Sequence, residues 1–358
     1  MVIWHGASPG QRTEADPASL PPQGTPSKYY FAAEDNAMKV VETFGLSKTY
    51  VQDVIGVEYG RLKIRLRNRH IEALKDLTMS VEEGEIFGLL GPNGAGKTTT
   101  IKILMGIHFA TKGRAKLMGR PLGDLEVKKR IGFLPENPYF YDYLKGWEFL
   151  NYYGQLYGMS GHRLRKRIEE LLEMVGLSHA ANLPLKGYSK GMNQRIGLAQ
   201  SLLNDPRLVI LDEPQSGLDP LGRKEVRDII LKLKEEGRTV LFSSHILSDA
   251  EMICDRVGIL FKGQLINIGS LTELLSAKKY QFELVVSGLK PEKEEALKAG
   301  AAKSLESDHQ LMLVYTDEQK AQKGIQETIG AGGTVLSFTP RTETLEEYFI
   351  RHVKGEAA

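Results

Sequence analysis

A glycine-rich loop between an apolar run and a helix-prone stretch limits the folds that this chain can adopt. The run Ile86–Leu90 has the length and composition of a buried strand, and residues 97–105 have the pattern of a helix. Between them, the chain reads Gly-Pro-Asn-Gly-Ala-Gly and continues with Lys-Thr. Glycines in such a loop let backbone N–H groups turn inward, and the start of the helix adds a dipole that favours an anion. The sequence therefore predicts a phosphate site on an α/β fold.

Two side chains at the end of this loop have the chemistry to hold a nucleotide. Lys97 carries a charge that can reach the β and γ phosphates, and the hydroxyl of Thr98 can ligate Mg²⁺. A glycine-rich turn that binds nothing is the alternative. That alternative does not account for a strand before the loop and a helix after it, so we favour the phosphate site.

A second apolar run, Leu208–Leu211, ends in the acidic pair Asp212 and Glu213. Read alone, such a pair is more often the solvated start of a helix. If the run is a buried strand beside the phosphate loop, both carboxylates reach the same edge of the sheet. We therefore expect Asp212 in the shell of the metal ion, and Glu213 activating the attacking water.

Composition limits the class of protein. A chain of 358 residues suggests one large α/β domain with a smaller addition. The net charge of +2 is too small to imply nucleic acid as a partner, and none is expected. No apolar run approaches the roughly 18 residues that a membrane span needs. The lone Cys254 fits a reducing compartment.

The residue pattern also divides the chain. Residues 1–38 are rich in Pro, Gly and Ser and are expected to form a disordered extension. Strand and helix patterns alternate over 39–275, which predicts a largely parallel sheet, with an aromatic-rich helical part at about 137–190. Residues 279–358 predict a small C-terminal α+β domain without a catalytic motif.

Residues 51–70 contain two β-prone runs around Gly60. In the second run, apolar and basic residues alternate with a period of two, which predicts a hairpin insertion with one apolar and one basic face. A solvated edge strand, kept from aggregating by its charges, is the simpler interpretation of the same pattern. The alternating residues are Arg61, Leu62, Lys63, Ile64, Arg65, Leu66 and Arg67.

Three further motifs follow in order along the chain. Residues 188–195 read Tyr-Ser-Lys-Gly-Met-Asn-Gln-Arg, residues 216–219 read Ser-Gly-Leu-Asp, and His245 follows a β-prone run. Together with the phosphate loop and the acidic pair, they resemble the signature motif, D-loop and switch histidine of ABC transporter nucleotide-binding domains. The resemblance covers about residues 39–269.

The resemblance implies a P-loop NTPase with an ABC-type helical subdomain, and ATP and Mg²⁺ as its cofactors. It implies that Glu213 and His245 act in ATP hydrolysis, His245 by contacting the γ-phosphate. It also implies that Ser189 contacts ATP held by the phosphate loop of a second copy, so that two sites form between two chains. Without the resemblance, Ser189 is simply the N-cap of a helix, and it can serve as both.

Two segments depart from the family pattern. Lys190 and Met192 differ from the commonest signature motif, which still leaves Ser189 and the start of the helix available to a phosphate. Residues 131–136 resemble the Q-loop segment, but Glu136 stands where glutamine is usual. Its carboxylate can coordinate Mg²⁺ or orient water, and the alternative is that it points away and caps a turn.

Tyr50 matches the aromatic residue that stacks on adenine in the family, and Tyr59 is a competing candidate. The residues assigned to the metal are Thr98, Asp212 and Glu136. The residues assigned to the nucleotide are Tyr50, Gly91, Pro92, Asn93, Gly94, Ala95, Gly96, Lys97, Thr98, Thr99, Ser189, Gly191 and Asp219.

The same resemblance implies two partners, a second copy of the chain and a multispanning membrane permease on another polypeptide. The expected location is the cytoplasm, at the inner face of the membrane, with aromatic residues near 139–147 forming the docking groove. The pattern looks most like bacterial exporters of drugs, antibiotics or polysaccharides. A soluble ABC ATPase acting on ribosomes or DNA is the main alternative, although such proteins usually carry two cassettes or a long coiled coil. A phosphotransferase is disfavoured because it leaves the signature motif, D-loop and His245 unexplained.

In the C-terminal region, Leu345, Tyr348, Phe349 and Val353 share one face of a predicted helix. We expect this face to cover the sheet of the C-terminal domain itself, or else to contact a second subunit or the permease. The domain is interpreted as a regulatory or dimer-supporting module that ATP binding does not need.

Overall fold

The computed structural model describes residues 38–58, 61–276, 281–307, 310–341 and 344–355. Almost all of the predicted N-terminal extension lies outside these residues, and so does Tyr59, the competitor of Tyr50. Residues 37–358 form one compact unit.

The described residues form fourteen strands and eleven α-helices. The strands are β1 (Lys39–Glu58), β2 (Arg61–Glu82), β3 (Ile86–Leu90), β4 (Lys112–Leu117), β5 (Arg120–Pro121), β6 (Ile131–Leu134), β7 (Leu208–Leu211), β8 (Thr239–Ser244), β9 (Arg256–Phe261), β10 (Gln264–Ser270), β11 (Gln281–Ser287), β12 (Lys303–Ser307), β13 (Gln310–Tyr315) and β14 (Thr334–Arg341). The helices are α1 (Lys97–Leu104), α2 (Leu125–Lys128), α3 (Gly146–Leu156), α4 (Gly161–Met174), α5 (Lys190–Ser201), α6 (Pro220–Glu235), α7 (Leu247–Glu251), α8 (Leu271–Ser276), α9 (Pro291–Gly300), α10 (Glu318–Gly330) and α11 (Leu345–Gly355).

The central sheet has the strand order β10-β9-β3-β8-β7-β6. All neighbours are parallel except β10, which pairs antiparallel with β9. Strands β3 and β7 are buried along their whole length, as expected for parallel strands covered on both faces. The prediction of a largely parallel sheet in an α/β fold is therefore confirmed.

Two hydrophobic layers cover this sheet. Within β3, Ile86 and Leu90 belong to the layer that contains the apolar faces of helices α3 to α6, while Phe87 and Leu89 belong to the other layer. That other layer joins helix α1 to an antiparallel sheet of order β2-β1-β4-β5. Because side chains alternate along a strand, one five-residue strand anchors both layers.

Strands β1 and β2 form one long antiparallel ribbon, whose pairing runs from Lys39 with Glu82 to Glu58 with Arg61. Residues 51–58 and 61–70 of the expected hairpin pair with each other within this ribbon, continuous with the strands of the sheet. Its predicted apolar and basic faces concern side chains that lie outside the described part of the chain.

The C-terminal region contributes an antiparallel sheet of order β12-β13-β11-β14. Helices α9 and α10 pack on it through a small core that includes Leu284, Leu297 and Ala321. The sequence of β12, Lys303–Ser307, has no apolar alternation that would predict a strand, and all five of its residues are exposed. Pairing with β13, and not burial, keeps this edge strand in place.

Helix α11 corrects our expectation about its apolar face. Leu345 and Tyr348 are buried in the same core as helices α3 to α6, and the Phe349 ring lies 6.0 Å from the ring of Phe261 on β9. The Leu345 N–H donates to Glu251 Oε1 on α7 over 2.7 Å. The face thus packs on β9 of the central sheet and on α7, which begins two residues after His245. We expected this face to cover the C-terminal sheet or to contact a second subunit or the permease. For Leu345 and Tyr348, which are buried in the core of the same chain, both expectations were wrong.

None of the helices in the described residues is both long and apolar enough to cross a membrane.

Candidate active site

The glycine-rich loop adopts a backbone that requires glycine. Gly91, Gly94 and Gly96 have φ angles of 153°, 79° and 112°, all in the region that L-residues avoid. A Cβ on Gly91 would collide with the carbonyl oxygen of Leu260, and one on Gly96 would lie 2.7 Å from that of Ala73. The loop is thus closely packed between β2 and the end of β9.

Hydrogen bonds of Ala95 close the turn of the glycine-rich loop, and the tip of the loop is exposed. The Ala95 N–H donates to the Pro92 oxygen over 3.1 Å, and the Ala95 oxygen accepts from the Gly263 N–H over 3.0 Å. Asn93 and Gly94 lie exposed at its tip, and Thr99 is half-buried in the first turn of α1. This arrangement presents the start of α1 to an approaching anion.

Lys97 points into the loop. Its side chain is only 5% exposed, and Nζ donates to the carbonyl oxygens of Gly91 and Pro92 over 2.7 and 3.2 Å. The same Nζ lies 3.0 Å from Glu213 Oε1 in an ion pair. A buried positive charge is therefore held beside the carboxylate that we predict to activate water.

Asp212 lies at the end of β7 next to α1. Its Oδ1 accepts hydrogen bonds from Thr98 Oγ1 over 3.1 Å and from Ser243 Oγ over 2.7 Å. Burial raises the pKa of Asp212, the negative charges of Glu136 and Glu213 raise it further, and the bonds from Ser243 and Thr98 lower it. An added cation would favour the charged form of this carboxylate, because it would offset both burial and repulsion.

Glu213 has a left-handed backbone with φ of 51°, and its N–H donates to Ser243 Oγ over 2.9 Å. Its side chain is 6% exposed and lies between two basic groups. Oε1 pairs with Lys97, and Oε2 lies 2.7 Å from His245 Nδ1. Asp212, Glu213, Lys97, Thr98 and His245, predicted from separate motifs, therefore meet in one cluster.

Glu136 is exposed and follows the last residue of β6, Leu134, by two positions. The Leu134 carbonyl accepts the N–H of Asp212 over 2.8 Å, so Glu136 leaves the sheet beside the acidic pair. Its charge acts on Asp212. A role at the metal or at water stays a prediction, and the position is compatible with it.

Ser189, Gly191 and Asp219 lie in a second group. Ser189 Oγ caps α5 by accepting from the Met192 N–H over 3.2 Å, and Asp219 caps α6 by accepting from the Gly222 N–H over 2.8 Å. They line one surface groove, here called the signature groove, together with Lys190, Gly217 and Leu218. Residues 91–98 are not part of the lining of this groove. The predicted nucleotide residues thus divide into a phosphate-loop group and a signature group.

Tyr50 lies on β1 opposite Ile71 of β2. Two positions further along β2, the oxygen of Ala73 is the atom that closes against Gly96. The Tyr50 ring itself makes an edge contact with His108 at 5.8 Å, and Lys48 Nζ lies 5.0 Å from its centre. Tyr50 is therefore one strand away from the phosphate loop, and stacking on adenine stays a prediction.

The oxygen atoms of Thr98 and Asp212 fit Mg²⁺. This hard ion prefers oxygen ligands and usually takes one or two carboxylates together with phosphate oxygens. The described residues contain no group of three or more His, Cys, Asp and Glu arranged to hold a metal. Such a group is not needed where the substrate supplies ligands, so binding of Mg²⁺ by Thr98 and Asp212 stays a prediction.

The sequence analysis missed Ser243. This buried serine donates to Asp212 and accepts from the Glu213 backbone, so it fixes both acidic residues. The signal in the sequence was a polar pair, Ser243 and Ser244, at the end of β8, directly after the apolar residues 240–242. A hydroxyl inside a buried strand needs a partner, and the neighbouring parallel strand β7 ends in two carboxylates.

Comparison with known proteins agrees with this geometry. The ABC transporter family description matches residues 74–216. An uncharacterized ABC transporter ATP-binding protein of Synechocystis sp. is 44% identical over 317 residues, which cover 88% of this chain and 85% of that protein. The linearmycin resistance ATP-binding protein LnrL of Bacillus subtilis is 37% identical over 220 residues, or 60% of this chain and 71% of that protein.

Among solved structures, a dimeric post-hydrolysis state of the ATP-binding cassette MJ0796, bound to ADP and phosphate, is similar with a TM-score of 0.55. It is 28% identical and covers 64% of this chain and 98% of that structure. The buried cluster around Lys97 and Glu213 and the long match to the Synechocystis protein lead to the same family. The chain belongs to the ABC transporter ATP-binding proteins, the subunits that bind and hydrolyse ATP.

Proposed function

We propose that this ATPase works with Mg²⁺ as a pair of identical copies, bound to a separate membrane permease at the inner face of the membrane, and that it powers export. The observation that carries the two-copy arrangement is the separation of the signature groove from the phosphate loop. Both groups of residues are predicted to contact one ATP, yet none of residues 91–98 belongs to the lining of the signature groove. A second copy would bring them together, and the similar MJ0796 cassette is itself described as dimeric.

Within each site, the chain's own residues divide the chemistry. Lys97 and the N–H groups at the start of α1 bind the phosphates. Glu213 accepts the proton of the attacking water, and its ion pair with Lys97 and its contact with His245 keep the carboxylate oriented. Thr98 and Asp212, whose side chains are hydrogen-bonded to each other, would hold Mg²⁺, and the bound ion would neutralise charge that develops on the phosphates. In this proposal His245 contacts the γ-phosphate, while its Nδ1 stays within hydrogen-bond distance of Glu213 Oε2.

The permease and the direction of transport rest on two observations. Exposed tyrosines cluster before α3, where Tyr139 and Tyr143 are 83% and 74% exposed, and a contiguous aromatic surface is typical of a protein interface. The relative LnrL is described as a linearmycin resistance ATP-binding protein, a role that fits removal of a compound from the cell. We extend both features to this chain as a proposal.

Mixed dimers test whether the sites are shared. Two differently tagged copies are combined so that Ser189→Arg and Lys97→Ala sit either on the same chain or on opposite chains. If each site takes its phosphate loop from one copy and Ser189 from the other, opposite-chain placement leaves one intact site. Same-chain placement then damages both sites. The stoichiometry of trapped nucleotide per dimer is the measurement, because it does not depend on cooperative hydrolysis.

The expected result is about one trapped nucleotide in the opposite-chain dimer and none in the same-chain dimer. The reverse order contradicts the two-copy site and indicates sites formed within one chain. Purification from membranes then tests the partner. Recovery of a multispanning protein with the chain supports the permease, whereas recovery of ribosomes supports a soluble ABC ATPase.

A further inference from the structure

Lys190 is in an unusual position for a basic residue. It is the first residue of helix α5, directly after the N-cap Ser189. The N-terminus of a helix carries partial positive charge, so a lysine there is electrostatically unfavourable for the isolated chain. Local choices that oppose stability are expected at functional sites.

The side chain of Lys190 lies in the signature groove. Gly217, with a φ of 68°, has no side chain, and a Cβ at this position would collide with Lys190 Nζ. The ammonium group therefore rests against the Gly217 backbone, on the surface shared by Ser189 and Asp219. Lys190 is exposed, so this charge is available to an anion that approaches the groove.

Glu136 adds a negative charge near the phosphate loop, whereas Lys190 adds a positive charge in the signature groove. It leaves β6 beside Asp212 and repels it, and Glu213 adds a third carboxylate. Glutamine is usual at this position in the family, so Glu136 adds one negative charge where the phosphates of ATP bind. An exposed carboxylate of this kind weakens anion binding unless a cation is supplied nearby.

We propose that Lys190 of one copy supplies a positive charge to the nucleotide site of the other copy, where it offsets the carboxylate of Glu136. The proposal rests on the two-copy arrangement proposed above, in which the signature groove closes over the phosphate loop of the partner. Lys190 and Glu136 both depart from the family pattern and carry opposite charges. In the proposed dimer, they lie on opposite sides of the interface. Lysine is suited to this task because its ammonium acts as a point charge on a flexible stem.

A double-mutant cycle tests the pairing. The full chain carries Glu213→Gln to slow hydrolysis, and the ATP-driven dimer dissociation constant is measured by analytical ultracentrifugation. Lys190→Gln is expected to weaken the dimer by about fivefold, the order of magnitude for a partly exposed charge at an interface. In a Glu136→Gln background, the same substitution is expected to weaken it by less than about twofold, since the charge to be offset is gone.

Three controls separate this effect from a structural one. Lys190→Arg keeps the charge and is expected to retain the dimer. Lys186→Gln removes an exposed lysine that lies outside the lining of the groove, and it is expected to change nothing. Raising the salt concentration should reduce the Lys190→Gln effect, because salt screens exposed charges. ATP binding by the monomer is the check that each variant is folded.

Placement on the two chains tests whether the coupling crosses the interface. Copies labelled with donor and acceptor fluorophores report on the mixed dimer. With Lys190→Gln and Glu136→Gln on opposite chains, both changes fall in one site. They should weaken the dimer less than the same two changes on one chain, where they fall in different sites.

The outcomes are distinguishable. An equal Lys190→Gln effect with and without Glu136, or no effect at all, overturns the pairing while the two-copy function stands. Equal dimer affinities with the two substitutions on opposite chains and on one chain would show that Lys190 and Glu136 do not interact across the interface. A parent chain with Glu213→Gln that does not dimerise with ATP counts against the two-copy function itself, before any Lys190 variant is measured.

Discussion

Glu213 is a non-glycine residue with a left-handed backbone, a buried carboxylate and contacts to two basic side chains. A left-handed backbone at such a residue costs on the order of 1–3 kcal/mol and persists only where the surroundings fix it. Here the Ser243 hydroxyl holds its N–H and Lys97 holds its carboxylate. The strain therefore marks a residue whose orientation matters more than its contribution to stability.

Glu213→Gln is expected to lower ATP turnover by about 10²–10⁴-fold, since general-base catalysis contributes on this scale. ATP affinity should remain within about threefold of the parent, because the amide keeps the shape of the side chain while it loses the charge that polarises water. Asp228→Asn on the exposed face of α6 is a matched control for charge. Turnover equal to the parent's, measured at steady state with the permease present, would remove Glu213 from its role.

Lys97→Ala is expected to weaken ATP binding by about 10–100-fold, since hydrogen bonds to charged groups contribute about 1.5–3 kcal/mol each. Equilibrium titration with ATP measures the effect. Lys102→Ala at the other end of the same helix serves as the control and should bind normally. Because Lys97 also pairs with buried Glu213, the unfolding transition must be recorded for both variants. An unchanged dissociation constant in folded protein contradicts the phosphate-loop assignment.

Ser243→Ala should reduce the free energy of unfolding by about 1–3 kcal/mol, because it leaves the buried N–H of Glu213 without an acceptor. It also removes a donor to Asp212. Ser201→Ala, at an equally buried serine that only donates to the Leu198 carbonyl, should cost less. Urea unfolding of both variants measures the difference, and equal losses would argue against a special role for Ser243.

Among the elements, helix α11 connects the C-terminal region to the motifs. Its first N–H bonds to α7, which begins two residues after His245, and its Phe349 ring contacts Phe261 on β9. Tyr348 is 4% exposed, and its hydroxyl accepts a hydrogen bond from the Asn267 amide on β10. The last helix in the sequence is thus a structural part of the ATPase core.

Tyr348→Ala should cost about 3–5 kcal/mol of unfolding free energy, the usual loss for a buried aromatic side chain. Ile350→Ala, on the exposed side of the same helix, should cost far less. Truncation before 344 is accordingly expected to lower the stability of the ATPase core. Equal stability of the truncated and full chains, measured by urea unfolding, would show that α11 contributes little.

For the molecule as a whole, the exposed tyrosines before α3 are the surface that we expect to meet the permease. Replacing Tyr139 and Tyr143 with Ser should lower permease-stimulated ATP turnover severalfold without changing ATP affinity, because truncation of the few dominant interface aromatics costs more than about 1 kcal/mol of binding. Phe109→Ser, at a site that is 84% exposed and outside this cluster, is the control. Normal stimulation of the double variant would place the docking surface elsewhere.

Local patterns in the chain were enough to predict the phosphate loop, the acidic pair and the parallel sheet. The spacing of the glycines predicts the backbone of the phosphate loop. Apolar runs of strand length predict β3 and β7, whichever strands they pair with. Which distant residues meet became clear only from the packing of the elements. Ser243 reaches Asp212 because β8 lies next to β7, and α11 returns to the ATPase core because its apolar face fits β9 and α7. Long-range packing of this kind leaves no periodic signal in the chain, since an amphipathic helix specifies that one face is buried but not against which surface.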